Sequence, residues 1–379
     1  MKKQKICVIG DGLSGLTTTL MLKNLNLDID VFYKKSNTKK IVDKRATALS
    51  VSNYKFLKNN INLKRMFFWK CNEINLYYEE NKKYSNFFNF EKNKEGSMYI
   101  FENNKLKNFL FKELDNYKNI KKKHSYIKKI DHKECSIKIK NKKFYYDLII
   151  MCLGGKSHLY ENIRNNRSIN KNYKEVSITA SIKHSGNIYE ASQFFLKEGP
   201  LAILPYNKKE FSIVWSLDKK FYEKSIKTIK NIIEDKLKLT LGNKLKFNIS
   251  NTTSFPIHLN LQTQYHKNNV LVLGEGVHSI HPIAGQGFNL IIRDIKKIIE
   301  LIKKNMKLGL TLKNSYILEE LSNSRKPENI IFGLGIDFVN IFFKQNKMLE
   351  PLKSFMLNNI HKSKQIIKVS KKISDTGFL

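Results

Sequence analysis

The sequence is short of cysteine and proline and has no long apolar run, and these shortages exclude several classes of protein. Its four cysteines, among 379 residues, show neither paired nor metal-like spacing, which excludes a disulfide-stapled secreted domain and predicts a reduced cytosolic setting. No apolar run approaches the roughly 18 residues that a membrane-spanning helix needs. A strand-like run begins within a few residues of Met1, so we expect no signal peptide.

Acidic residues are scarce as well. The chain has 69 Lys and Arg residues against 33 Asp and Glu residues, which gives a formal net charge of +36. Such an excess attracts nucleic acid or anionic lipid when the basic residues are clustered. Here the lysines are scattered with asparagines through almost every segment, and no nucleic-acid-binding motif accompanies them. We therefore expect no nucleic-acid partner, but a general attraction to an anionic membrane surface.

The chain opens with the pattern of a strand, a glycine turn, a helix and a second strand. The apolar run KICVIG ends at Gly10, and Gly12 and Gly15 follow before an apolar helical stretch and the strand-like run DIDVFY. In a unit of this kind the first glycine makes the tight turn, the second lets the backbone approach a pyrophosphate, and the third brings helix and strand together. The pattern predicts a dinucleotide site.

The second strand ends without the acidic residue that usually binds the adenosine ribose in this motif. By the strand register, Tyr33 occupies that position. Its hydroxyl could form a weaker hydrogen bond to a ribose, or the residue could simply cap the strand, and both interpretations stay open. Asp30 lies too early on the strand to substitute for the missing acid.

A proline and two glycines precede a strongly helical segment in HSIHPIAGQGFNL, which spans residues 278–290. The Gly-Gln-Gly run leaves backbone N–H groups uncovered at the start of a helix, where the helix dipole favours an electron-rich guest. His278 and His281 lie three residues apart, but no set of carboxylates or cysteines accompanies them. We predict no metal site.

Four segments together resemble the FAD-dependent aromatic hydroxylases, and among them the ring hydroxylases of ubiquinone biosynthesis. They are GDGLSG at 10–15, KRATALS at 44–50, EGPLAILP at 198–205 with SIVWS at 212–216, and VLVLGEGVHSIHPIAGQGFNL at 270–290. The last segment is the most specific, because its strand, Gly-acidic pair, His-Pro pair and Gly-Gln-Gly run are hard to obtain together by chance.

The resemblance and the strand patterns imply an α/β fold. An FAD-binding Rossmann-like lobe is expected to be interleaved with a mostly antiparallel β-sheet substrate lobe, because aromatic and alternating segments interrupt the buried strands. The predicted ranges are 1–65, 101–174 and 263–330 for the FAD-binding lobe, 66–100 and 175–262 for the substrate lobe, and 331–379 for C-terminal helices.

The resemblance also implies roles for individual residues. The backbone N–H groups of Phe288 and Asn289 would meet the N1–C2=O edge of the flavin, and Glu275 would take the place of an aspartate that holds the ribityl chain. The implied catalytic residues are Pro282, Gly285 and Gln286. The implied cofactor-binding residues are Gly10, Gly12, Gly15, Tyr33, Arg45, Gly274, Glu275, Gly287, Phe288 and Asn289.

The implied activity is that of an FAD-dependent monooxygenase in ubiquinone biosynthesis. NAD(P)H would reduce FAD, dioxygen would give a flavin C4a-hydroperoxide, and the aromatic ring of a polyprenylated phenol would be hydroxylated. Leu153 stands where the family has an aspartate that serves the pyrophosphate and the passage of NAD(P)H, and the arginine that often follows is missing near Tyr160. A catalytically degenerate FAD-binding scaffold of a quinone-biosynthesis assembly is therefore the alternative.

The C-terminal segment predicts two amphipathic helices separated near Pro351. Apolar residues at helical spacing, notably Ile336, Val339, Phe342 and Phe343, precede a lysine-rich tail. The helices either cover the nucleotide lobe or dock on anionic lipid. We expect a cytoplasmic protein that binds peripherally to the inner face of the cytoplasmic membrane, with other quinone-biosynthesis proteins as candidate partners.

Overall fold

The computed structural model describes twelve ranges of the chain. They are 3–34, 45–63, 67–80, 83–90, 96–155, 157–164, 167–250, 252–314, 316–344, 353, 357 and 364–377. The helices in these ranges are α1 Leu13–Leu22, α2 Val51–Asn60, α3 Asn103–Glu113, α4 Lys219–Ser225, α5 Ile229–Leu241, α6 Gly287–Lys307, α7 Ile317–Phe343 and α8 Lys364–Thr376.

The strands of the described ranges form two large sheets and two small ones. They are β1 Gln4–Ile9, β2 Leu27–Tyr33, β3 Ala46–Leu49, β4 Trp69–Cys71, β5 Ile74–Glu80, β6 Lys83–Phe90, β7 Met98–Glu102, β8 Ile120–His124, β9 Lys129–Asp131, β10 Ser136–Ile139, β11 Lys142–Tyr145, β12 Leu148–Met151, β13 Ser168–His184, β14 Ala191–Leu196, β15 Gly199–Asn207, β16 Glu210–Asp218, β17 Phe247–Ile249, β18 Thr253–Gln262, β19 His266–Lys267, β20 Val270–Val272 and β21 His278–Ser279.

The first large sheet holds the predicted nucleotide-binding strands. Its order is β19-β20-β12-β1-β2-β8, and β1 runs parallel to both β2 and β12. Strand β12 in turn runs parallel to β20. These strands are short apolar runs with both faces covered, as a parallel sheet requires, and Val8 and Ile150 are fully buried. The predicted Rossmann-like opening is confirmed.

The second large sheet is mostly antiparallel. Its order is β21-β18-β13-β16-β15-β14-β5-β6, with β17 added on β13, and β14 with β5 is its parallel pair. Strand β13 begins at Ser168, before the predicted start of the substrate lobe at residue 175. One face of this sheet packs under α5 around Trp215 and Phe194. Because side chains alternate along a strand, the neighbours of Phe194 in β14 lie on the other face, towards the first lobe.

A small sheet joins the two lobes. Strands β3, β7 and β4 pair in that order, and β3 follows directly on Arg45. Small side chains of this sheet, among them Ala46 and Ala48, share an apolar cluster with Ala202 and Leu204 of β15. The contact places β3 beside both large sheets.

The first C-terminal helix begins earlier than predicted, because α7 starts at Ile317 whereas the predicted C-terminal segment starts at residue 331. Helix α7 extends as far as Phe343, and its Ile336, Val339 and Phe343 pack into an apolar cluster with Phe195. These predicted apolar residues therefore face the protein. Pro351 lies outside the described residues. None of the helices in the described ranges is long and apolar enough to cross a membrane.

Helices α6, α7 and α8 are held together by buried charges. The carboxylate of Asp294, 1% exposed, accepts hydrogen bonds from Arg325 Nε at 2.7 Å and from Asn329 Nδ2 at 3.1 Å. Arg293 donates to the carbonyl groups of Ser374 and Asp375 at the end of α8, at 3.1 Å and 3.3 Å. Cationic groups bind well to the carbonyl end of a helix because of its dipole, so α8 is fixed by its last turn.

We predict that Asp294→Asn lowers the free energy of unfolding by about 3 kcal/mol, because it leaves Arg325 as a buried charge with a weaker partner. Burial would raise the pKa of the Asp294 carboxyl, but Arg325 and the hydrogen bond to His278 outweigh burial and lower the pKa. The stabilisation is therefore complete above about pH 4 and is lost as the pH falls through the folded-state pKa.

Denaturant melts at several pH values measure this effect. The control is Asp115→Asn, which removes an exposed ion pair with Lys122 and should cost less than about 1 kcal/mol. A loss at neutral pH no larger than that of the control would contradict the structural role of Asp294.

Candidate active site

A groove of about 820 Å³ lies along the carboxyl ends of β1 and β12, the turn after β20 and the start of α6. It is the place where a dinucleotide binds in an open α/β sheet. Many of the predicted site residues come together on its walls. They are Gly12, Arg45, Glu275, Pro282, Gly285, Gly287 and Phe288.

The three glycines after β1 occupy positions that fit their predicted roles. Gly10 has a φ of +120°, and a Cβ there would lie 2.2 Å from the carbonyl oxygen of Cys152. A Cβ on Gly15 would lie 2.1 Å from the carbonyl oxygen of Gly10, whereas one on Gly12 would have no described atom within 4 Å. Gly12 is also the N-cap of α1 and has no side chain that could cap the helix. The first N–H groups of α1 therefore suit a pyrophosphate.

The loop before α6 leaves the start of that helix uncapped and open to the groove. Gln286 is the N-cap of α6 but makes no side-chain cap, and no acidic residue lies in the first turn. Pro282, Gly285 and Gly287 face the groove. Gly285 has a φ of +62°, a left-handed conformation that favours glycine, and a Cβ there would lie 3.4 Å from Ala48 Cβ. The uncapped helix start suits the electron-rich edge of a flavin.

The side chain of Asn289 fixes the start of α6 against β3 and α2. Its Nδ2 donates to the carbonyl of Ala48 at 3.0 Å, and its Oδ1 accepts from the Ser50 N–H and from Asn53 Nδ2, each at 2.9 Å. The predicted role of Asn289 concerned its backbone N–H group and stays a prediction. Its side chain has a structural role that the sequence did not reveal.

Glu275 is an exposed residue of the turn Gly274–Gly276 and faces the loop after β12. A Cβ on Gly154 would lie 3.8 Å from its Oε2. Two residues brace this corner of the groove. The Tyr160 hydroxyl accepts from the Leu153 N–H at 3.1 Å and donates to the Gly154 carbonyl at 2.9 Å, and Arg164 donates to the Gly276 carbonyl.

Tyr160 and Arg164 were missed as functional residues by the sequence analysis. The expected arginine is missing beside Tyr160, but Arg164 lies four residues further on and stacks over the Tyr160 ring at 4.1 Å. Leu153, which stands where the resemblance implies an aspartate, lines the groove. The hydrogen bonds of Tyr160 and Arg164 thus hold this corner of the groove although no aspartate is present at position 153.

Arg45 and Tyr33 have different positions relative to the groove. Arg45 lines the groove with its guanidinium 5.5 Å from the ring of Phe255. Tyr33 lies at the end of β2, where its ring contacts Phe111 and His124 at centroid distances of 5.2 Å and 5.5 Å, and it is not among the groove-lining residues of the described ranges. A ribose contact by Tyr33 therefore stays a prediction that the geometry does not favour.

The two histidines of the opening motif each pair with a carboxylate. His278 Nε2 lies 2.7 Å from Asp294 Oδ2, and His281 Nε2 lies 2.8 Å from Glu175 Oε2. Burial would raise the pKa of Glu175, but hydrogen bonds with His281 and Lys344 outweigh burial and lower the pKa. No group of three or more potential metal ligands occurs in the part of the chain that the structure describes.

A second cavity, of about 500 Å³, lies on the other side of the loop before α6. Ile283, Gln286 and Asn289 line it, whereas their neighbours Pro282, Gly285 and Phe288 line the groove. Its walls are mostly apolar and include Ile74, Leu76, Phe195, Leu204, Phe332 and Ile336. The last turn of α8 closes one side. One loop thus separates the nucleotide groove from a more apolar cavity.

The fold and the groove define a dinucleotide-binding α/β protein whose helix start suits a flavin. Residues 3–307 match the family model described as FAD binding domain. Because the match covers most of the chain, this protein belongs to the FAD-binding domain family. FAD is accordingly its cofactor, and the glycine turn, the groove and the uncapped α6 fit that cofactor.

Two curated relatives show what the chain is similar to. The mitochondrial ubiquinone biosynthesis monooxygenase of Dictyostelium discoideum is 28% identical over 211 residues, which are 46% of this chain and 43% of the relative. The 3-demethoxyubiquinol 3-hydroxylase of Escherichia coli is 28% identical over 173 residues, 44% of this chain and 42% of the relative. The matches span less than half the length of each relative. They confirm the predicted resemblance to the ubiquinone branch of the aromatic hydroxylases.

Solved structures share the whole fold. The p-nitrophenol 4-monooxygenase of Pseudomonas putida has a TM-score of 0.79 at 13% identity, over 100% of this chain and 99% of that chain. Klebsiella pneumoniae HpxO, complexed with FAD and uric acid, has a TM-score of 0.72 at 13% identity, over 99% and 97% of the two chains. These similarities confirm the predicted fold class.

We predict that Glu275→Ala weakens FAD binding by about tenfold or more, because a hydrogen bond to a carboxylate contributes roughly 1.5–3 kcal/mol. Tyr33→Phe should change FAD affinity by less than about twofold, because the hydroxyl lies off the groove and the aromatic packing is kept. Titration of the apoprotein with FAD, followed by flavin fluorescence, measures both constants. Equal losses in the two variants would contradict the placement of Glu275 and Tyr33.

Proposed function

We propose that this protein is an FAD-dependent monooxygenase that hydroxylates the aromatic ring of a polyprenylated phenol in ubiquinone biosynthesis, with NAD(P)H and dioxygen as co-substrates. The main support is the loop of residues 282–289, which has the nucleotide groove on one side and the apolar cavity on the other. A phenol in that cavity would lie next to a flavin in the groove. The names of the curated relatives support the same chemistry.

The residues of the chain would bind and orient FAD and the substrate, and they would exclude water from the site. When bound, FAD would supply the reduction of dioxygen to a species that hydroxylates an electron-rich ring. The uncapped first turn of α6 would stabilise negative charge at the edge of the flavin ring, because the N-terminal end of a helix carries a partial positive charge. The apolar cavity walls would keep water away, which favours transfer of oxygen to the substrate over its release as hydrogen peroxide.

The competing hypothesis is a catalytically degenerate FAD-binding scaffold. Its support is Tyr33 and Leu153, which each stand where the resemblance implies an acidic residue, and Leu153 lines the groove. Against it, the hydrogen bonds of Tyr160 and Arg164 maintain the turn at that corner, and an apolar cavity beside the flavin has no role in a scaffold. We therefore favour the enzyme.

We predict that the FAD-loaded protein oxidises NADH or NADPH faster when a short-chain prenylated phenol is added, and that mass spectrometry finds the phenol with one added oxygen. The matched control is a prenylated cyclohexanol, which has the same tail and hydroxyl but no aromatic ring, and should not stimulate. The scaffold hypothesis predicts no stimulation by either compound. If the phenol stimulated NAD(P)H oxidation but all of the oxygen consumed appeared as hydrogen peroxide, the hydroxylase proposal would be contradicted.

The outer face of α7 supports peripheral binding to an anionic membrane. Four large apolar residues at three- and four-residue spacing are exposed there, namely Ile331, Leu334, Phe338 and Ile341. The neighbouring Asp337 is neutralised by Lys171 at 2.9 Å. Two copies that each carry a formal charge of +36 repel one another, whereas an anionic bilayer attracts the chain. Lipid therefore fits this face better than a second copy.

We predict that the double substitution Leu334→Ser and Phe338→Ser weakens binding to anionic liposomes by about thirtyfold, because two apolar side chains that contribute roughly 1 kcal/mol each account for about 2 kcal/mol. The matched control is Ile226→Ser with Leu239→Ser, which removes two comparably exposed apolar residues elsewhere. Flotation at low and high salt measures the binding. Equal losses in the two double variants would contradict a docking role for α7.

Deletion of residues 344–379 is a less direct test of membrane binding. It would also remove α8 and leave Arg293 without the carbonyl groups of its last turn. Loss of binding could then reflect a damaged fold.

A further inference from the structure

Two glutamine side chains that line the apolar cavity each have a buried amide oxygen without a hydrogen-bond partner among the described residues. Gln193, in β14, is 5% exposed, and its Oε1 is buried without a partner among the described residues. Oε1 of Gln286 is also buried, and the described ranges hold no partner for it. Both residues line the cavity of about 500 Å³. Buried polar atoms are nearly always hydrogen-bonded, so two orphans on one cavity point to a ligand.

The surroundings of Gln193 are those of an apolar position. Ala191 and Phe195 lie on the same face of β14 and also line the cavity. The paired residues on the adjacent strands are Ala202 of β15 and Leu76 of β5. A leucine would fit this pattern without an unpaired polar atom. The amide is therefore unfavourable for the fold alone and becomes favourable when a ligand supplies the missing bond.

Several other polar groups on the cavity wall already have protein partners. Ser50 Oγ donates to the carbonyl of Asp375 at 3.0 Å, and Ser97 Oγ donates to the carbonyl of Asn72 at 2.7 Å. The carboxylate of Asp375 accepts from the Ser52 N–H at 2.8 Å. Lys371 and Lys372 of α8 also line the cavity. Among the lining residues that the structure describes, the amide oxygens of Gln193 and Gln286 are the buried side-chain polar atoms without a partner.

The position of Gln286 relates this requirement to the cofactor. Gln286 lies between Gly285 and Gly287, which both line the nucleotide groove, and it is the N-cap of α6. A group bound by Gln286 therefore lies at the loop that separates the cavity from the groove. Gln193 reaches the same cavity from the opposite lobe.

We propose that Gln193 and Gln286 together bind the ring hydroxyl group of a phenolic substrate and so determine which ring carbon faces the flavin. A phenol hydroxyl both donates and accepts a hydrogen bond, as an amide does, so it satisfies either orientation of each amide. The apolar walls accept the ring and the first part of a hydrocarbon tail. The proposal rests on the proposed function, because it assigns recognition residues to the same cavity.

The test compares a phenol with its methyl ether in the FAD-loaded protein without NAD(P)H. The probes are a short-chain prenylated phenol and the same compound with its hydroxyl methylated, and binding is followed by the change in flavin absorbance. The wild type should bind the phenol about tenfold more tightly than the ether, because the ether cannot donate a hydrogen bond and adds a methyl group at the amides. Gln193→Leu should bind both compounds about equally.

Two controls separate recognition from structure. Gln264→Leu removes a glutamine that bonds to the His266 carbonyl and does not line the cavity, and it should keep the preference of the wild type for the phenol. The ligand-free Gln193→Leu protein should have a melting temperature equal to or above that of the wild type, because an unpaired buried amide has been removed. A structural glutamine would lower the melting temperature when replaced.

The outcomes distinguish this inference from the proposed function. If the wild type hydroxylates the phenol and Gln193→Leu keeps the full preference for phenol over ether, the inference is overturned and the proposed function stands. If Gln193→Leu melts lower and loses FAD, the residue is structural and the inference is again overturned. If the wild type neither binds nor hydroxylates any phenol, both proposals fall.

Discussion

The buried carboxylate of Asp294 is the constraint on which the arrangement of the active site depends. Asp294 lies on α6 and pairs with His278 of β21, which precedes the loop of residues 282–289, and with Arg325 of α7. Arg325 also binds Glu328, which lies 3.7 Å from Arg293, and Arg293 binds the end of α8. Buried charges need their partners, so none of these elements can move alone without exposing or orphaning a charge. The network therefore fixes the walls of both cavities at once.

Helix α6 combines this anchoring with the chemistry at its start. Its buried face carries the charges of the network, and its first turn is left uncapped at Gln286. A helix that is firmly held at Arg293 and Asp294 presents its N–H groups in a fixed direction, and preorganised dipoles are worth more to a reaction than mobile ones. The side chain of Asn289 adds a second anchor to β3 and α2. Structural and functional residues thus alternate within about two turns at the start of α6.

The sequence predicted what depends on local pattern. The glycine turn after β1, the buried strands β12 and β20, and the helix that begins at Gly287 each follow from a short run of residues. Tyr160, Arg164 and Gln193 could not be found in this way, because their significance comes from contacts between distant segments. Gln193 lies on a strand that looks apolar in sequence, and only its position on the cavity reveals the unpaired amide. Periodicity also predicted a helix around Ile336 and Val339 but left open whether its apolar residues cover the protein or dock on lipid.

The two apolar faces of α7 have different surroundings, and that difference bears on how a lipid-soluble substrate is handled. Phe332 and Ile336 line the apolar cavity, while Leu334 and Phe338 are exposed on the other side of the same helix. A core helix needs one apolar face, so the second is not explained by folding. Under the proposed function, one helix would contact both the membrane and the substrate cavity. Because Arg325 and Glu328 fix this helix through the Asp294 network, the distance between lipid and flavin would be set by the fold itself.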